Sequence, residues 1–250
     1  MSAQILQQVF QLNNEGAALL CSPDVNQTKV AMACFNKALS IASTFPEKPR
    51  SSSEERPVPR RNRETGIWDL CLLSTVPIPS FEENNFYFFD QALYLRPEIF
   101  VDHMSCNTKT TIEFFAAVTL MNTALAFCRL AHACPDQGQG AKKAEKFLEK
   151  SLQLFETVAS FLTTLNPVTG MNAKVALFFI LAAQNNCSWL CLKLGNHTKG
   201  SLVQAQLRSY LERGGAFFPS DSIVFVEEIF LNSTVLAMTN TFSSLPAAAA

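Results

Sequence analysis

Histidine, cysteine and carboxylate side chains are this chain's candidates for chemistry, and their spacing gives them little to do together. His103, His132 and His197 stand far apart. Cys128 with His132, and Cys187 with Cys191, are each four residues apart, so each pair shares a helix face. Two ligands fall short of the four, or the open three, that zinc requires. Glu227 and Glu228 adjoin in sequence and so point in different directions. No glycine loop able to cradle a phosphate and no serine nucleophile motif is present. The expectation is a non-enzymatic protein with no metal, no cofactor and no catalytic residue. A thiol site at Cys187 or Cys191 is the enzymatic alternative.

The polar residue that does recur in a pattern is asparagine. Asn14 precedes Gly16, Asn122 precedes Ala124, and Asn186 precedes Ser188, each by two positions within an apolar helical run. Three residues beyond each small residue comes a buriable one: Leu19, Phe127 and Cys191. A carboxamide offers both a donor and an acceptor, so it can hold a peptide backbone whatever its side chains are. Seven residues past Asn122 and Asn186 stand Arg129 and Lys193, expected on the same surface; the first copy has Cys21 there. Two cations on one surface would favour an acidic or carboxylate-bearing partner.

These asparagines need helices to carry them. Ile5, Val9, Leu12, Gly16, Leu19 and Leu20 line one side of a helix that Ser22-Pro23-Asp24 ends. Ala31, Cys34, Phe35, Ala38, Leu39 and Ala42 form the stripe of a second, giving a first helix pair over residues 1–46. A second pair is expected over 108–165. Its latter helix buries Ala144, Phe147, Leu148, Ser151, Leu152, Phe155, Ala159 and Leu162 and turns Lys142, Lys143, Glu145, Lys146, Glu149 and Lys150 to solvent. A third pair covers 171–213, and an apolar capping helix 220–239. Prolines, a serine run and mixed charges make 47–66 a disordered loop. Residues 67–101 read as an extended insertion, a hairpin lying on the helices. Phe89-Asp90-Gln91-Ala92-Leu93 also copies Phe35-Asn36-Lys37-Ala38-Leu39, the mark of a degraded helix; alternation and aromatic density favour strand.

Composition narrows the class. Hydrophobic residues make up 48% of the chain, enough for one large core, while only 16% are charged. A net charge of -1 argues against general attraction to nucleic acid. The start of the chain lacks the basic and apolar blocks of a secretory signal, and most cysteines fall at core positions, as a cytoplasmic protein with free thiols would have them. Arg60-Arg61-Asn62-Arg63 leaves a nuclear location open. The run from Phe114 to Cys134 is long and apolar, but Asn122, Thr123, Arg129 and His132 would be costly in lipid, so no membrane insertion is expected. A membrane-associated helical protein is the second alternative.

The pattern resembles the tetratricopeptide (TPR) repeat. The first unit has Asn13-Asn14-Glu15-Gly16-Ala17-Ala18-Leu19 and then Ala31, Phe35 and Ala38. The second has Asn122, Ala124 and Phe127, then Ala144, Leu148 and Ser151; the third has Asn185-Asn186-Cys187-Ser188 and Leu194-Gly195. The matches cover about half the chain, with turns longer than the family's and an insertion between units one and two. The resemblance implies an all-α superhelix of antiparallel helix pairs, a protein-interaction scaffold whose first helices line a concave groove for a partner's peptide or helix. On that reading Asn14, Asn122, Arg129, Asn186 and Lys193 face the groove; the alternative is that the asparagines are structural and cap or bridge between helices.

Overall fold

The computed structural model describes residues 2–45, 73–78, 88–96, 108–165 and 173–214. These form α1 (Ser2–Leu20), α2 (Val25–Ser43), β1 (Leu73–Pro77), β2 (Gln91–Leu95), α3 (Thr108–His132), α4 (Gln139–Leu165), α5 (Ala173–Lys193) and α6 (His197–Gly214). The expected loop at 47–66 and capping helix at 220–239 lie outside the described residues.

Each helix packs against the next in chain order, from α1 through α6, and α1 also touches α3. The turns follow local chemistry. Asp24 caps α2 by accepting the Asn26 N–H at 2.9 Å. Gly195 ends α5 at φ +71°, and the Asn196 N–H returns to the Cys191 carbonyl at 2.8 Å, closing the last turn.

The small residues of the repeat sit where neighbouring helices crowd. A Cβ on Gly16 would stand 2.4 Å from Cε1 of Phe35 on α2, so glycine lets that ring lie flat against α1. At the second copy, the Ser151 hydroxyl of α4 donates to the Ala124 carbonyl at 2.8 Å and lies 3.0 Å from Cys128 Sγ. At the third, the Ser188 carbonyl lies under Gly200 of α6.

α3 is apolar around its circumference and is the central helix: Phe114, Phe115, Val118, Met121, Leu125 and Cys128 are all buried. It has the length and hydropathy to cross a membrane, yet 83% of that window is buried within the fold. α4 is two-sided, as its sequence pattern requires. All six charged residues from Lys142 to Lys150 are exposed, while Ser151, Leu152, Phe155, Ala159 and Leu162 are buried.

The insertion is a two-stranded antiparallel hairpin, with Leu73 opposite Leu95 and Pro77 opposite Gln91. The Phe89–Leu93 segment is therefore extended backbone entering a strand, and its likeness to the α2 sequence is not expressed as a helix. Ile78 N–H bonds the Asp90 carbonyl at 3.0 Å, which fixes the alternation: residues 90, 92 and 94 turn their backbone groups to β1. Pro77 falls in the opposite phase, so its missing N–H costs the ladder nothing.

Candidate functional site

The other edge of β2 faces the helices, and there the recurrent asparagines are found. Asn14 of α1 donates to the Leu95 carbonyl at 2.7 Å and accepts the Leu95 N–H at 2.9 Å. Asn122 of α3 does the same to Leu93, both bonds at 2.8 Å. Asn186 of α5 does the same to Phe89, at 3.0 and 2.9 Å. Each carboxamide thus grips both backbone groups of one residue, a geometry available because N–H and C=O of a strand residue point to the same edge. The odd-numbered phase that β1 leaves unpaired is the phase the asparagines take. The segment crosses the first helices in reverse order, α5 then α3 then α1.

A second asparagine backs each of the three. Asn13 Nδ2 reaches Asn14 Oδ1 and the Leu93 carbonyl, each at 3.2 Å, and its own Oδ1 accepts from Asn122 Nδ2 at 3.0 Å. Asn185 Nδ2 lies 3.4 Å from Asn186 Oδ1. Asn13, Asn122, Asn185 and Asn186 are all buried. Such a network is strong only when complete, because a buried polar group without a partner costs about 1–3 kcal/mol. The sequence offered a signal for the supporting pair: the doubled Asn-Asn in units one and three, where unit two has Met121.

Apolar side chains hold the segment alongside the amides. Phe89, Ala92, Leu93 and Leu95 are almost fully buried. Phe89 packs edge-on to Phe178 of α5 with ring centroids 5.8 Å apart, and Phe88 lies 4.9 Å from the Trp189 ring. Tyr94 is half-buried, and its hydroxyl lies 3.7 Å from Cys21 Sγ; burial and that thiol raise its pKa above the usual tyrosine value.

Arg129 and Lys193 do not join the asparagines. Arg129 is 1% exposed and donates through Nη1 to the Leu20 carbonyl and through Nη2 to the Ser22 carbonyl. It satisfies carbonyls that the end of α1 leaves without helical partners. Burial lowers its pKa, with Cys21 and Asp24 opposing the shift. Lys193 is exposed and stands over the Trp189 ring, 5.4 Å from its centroid. The sequence placed both cations one heptad from an asparagine, but seven residues rotate an α-helix about 20° short of two turns, and neighbouring packing decides what that face meets.

No known protein family, curated protein or solved structure matches this chain.

Burial works against the thiolate form at Cys128, Cys187 and Cys191. Burial pushes Cys128 up to about 12, only partly offset by its contact with Ser151. Burial also raises Cys187 well above the ordinary thiol value, and Cys191 less so. Reactive cysteines require the opposite shift. A second concavity, of about 640 Å³, lies between α4, α5 and α6. Glu156 and Lys199, paired at 2.5 Å, stand among its lining groups, as do Tyr210 and the buried Gln184, whose Oε1 has no hydrogen-bond partner.

Proposed function

We propose that the protein is a non-enzymatic interaction scaffold of TPR-like helix pairs, which takes an extended segment of a protein partner along the wall formed by α1, α3 and α5. One observation carries this: three carboxamides, one from each first helix, hold the main chain of a single extended segment at Phe89, Leu93 and Leu95. A wall that grips backbone groups is indifferent to most of its ligand's sequence, as a peptide-binding scaffold must be. The segment held is the chain's own residues 89–95, and its backbone contacts support the reading by analogy with a partner's extended segment. With Arg129 turned to backbone carbonyls, the partner's acidity is not what the wall selects; its extended shape is.

Capture from a native extract, followed by cross-link mapping, tests this. A retained protein cross-linked to α1, α3 and α5 is the expected result. Absence of any retained protein, or cross-links confined to the outer faces of α2, α4 and α6, would contradict it.

A further inference from the structure

We infer that residues 88–96 are a built-in pseudo-ligand, and that the wall selects extended partner segments carrying bulky apolar residues at positions one, five and seven. This rests on the scaffold reading above and names its ligand and its regulation. The pattern is copied from the segment in place: Phe89, Leu93 and Leu95 are both the residues whose backbone the asparagines grip and residues whose side chains are buried. Backbone capture supplies affinity, and the three apolar anchors supply register.

Each of α1 to α6 contacts its neighbour directly. In chain order the segment lies between α2 and α3 and interrupts neither of the helices it separates, so its release would part no helix pair. Tethered in this way it competes at an effective concentration on the order of millimolar. A partner's apparent dissociation constant equals its intrinsic one divided by the fraction of molecules with a vacant wall. The tether is thus a threshold: weak apolar segments are excluded, and a partner gains access when it carries the full pattern or when the internal segment is loosened.

The test uses the full-length chain and a fluorescent peptide of residues 88–96. In the double variant Leu93→Gly/Leu95→Gly the internal segment loses two anchors while the wall keeps every asparagine. The peptide should bind this variant at least about tenfold more tightly than it binds the wild type. Adding Asn122→Ala and Asn186→Ala should remove the gain, and a peptide with serine at the three anchor positions should not bind. A variant that stays helical by far-ultraviolet dichroism and binds no better than wild type overturns the proposal. So does a variant that loses its helices, because the segment would then be a core strand the helices cannot do without. The wild type gives an independent reading: a photoreactive form of the peptide should cross-link to α3 at about millimolar concentration, the range in which it matches the tether. No cross-link there counts against the pseudo-ligand. A protein partner captured on the wall while the peptide fails would leave the scaffold standing and remove only the pattern.

Discussion

At the scale of single residues, asparagine succeeds here because its side chain is a peptide group with the two ends exposed. Asn122 fills both backbone positions of Leu93 and is itself steadied by Asn13. Aspartate would keep the acceptor and lose the donor, facing the Leu93 carbonyl with a buried negative charge. Asn122→Asp should destabilise the fold by about 2–5 kcal/mol, read as a lowered urea midpoint. Asn14, which is only half-buried, should tolerate the same change better. Gly16→Ala drives a methyl into the Phe35 ring and should cost about 1–3 kcal/mol. The Cys128 thiol gives a pH prediction. Its folded value, about 12, exceeds the ordinary thiol value of 9.0, so the folded state holds its proton longer than the unfolded state. Its contribution is whole below pH 9 and is lost as pH rises towards 12, at about 1.4 kcal/mol per pH unit. Cys128→Ala should flatten that limb of a stability profile, and an unchanged slope would show that other groups set it.

At the scale of elements, what was legible in the sequence is what period and punctuation specify. α4 announces itself by six solvent-facing charges and an apolar stripe, and its burial follows that division from Ser151 to Leu162, while Ala144, Phe147 and Leu148 are only half-buried. Pro23 and Gly195 mark turns that the structure has. The strand at 91–95 was legible only through alternation, against a competing helical likeness at Phe89–Leu93, because a short apolar run fits either period. Tertiary pairing decides it: β1 takes one edge and the asparagines take the other. That three asparagines would face a backbone could be read from their recurrence. That the backbone would be the chain's own could not, because sequence periodicity carries no information on contacts between residues eighty positions apart. Arg129 misled for the same reason, since its partners, Leu20 and Ser22, lie on another helix pair. Its role as an end cap for α1 makes Arg129→Lys a poor substitute, because one ammonium cannot reproduce the fork. That change should cost about 1–3 kcal/mol, visible as a lower melting temperature.

At the scale of the molecule, the six described helices, packed in chain order, are tied crosswise by one extended segment. The helices pack in chain order and α1 also meets α3, while residues 89–95 tie three helices together, β2 touching α1 and α3 and Phe89 reaching Asn186 of α5. Loosening of the segment should leave far-ultraviolet dichroism nearly unchanged, because the helices also pack on one another directly, while complete unfolding in urea should be one cooperative step. Covering α3 on most of its surface removes the reason for it to seek lipid. Carbonate extraction without detergent should release the protein from cell membranes, and retention in the pellet would point to the membrane-associated alternative.

The grip of the asparagines on β2 is the claim everything else leans on, and amide hydrogen exchange reads it residue by residue. Phe89, Leu93 and Leu95 should be strongly protected in the wild type, and Asn186→Ala, Asn122→Ala and Asn14→Ala should each speed exchange most at the one residue its asparagine holds. Exchange of those three amides at the rate of a free peptide in the wild-type protein would contradict the account.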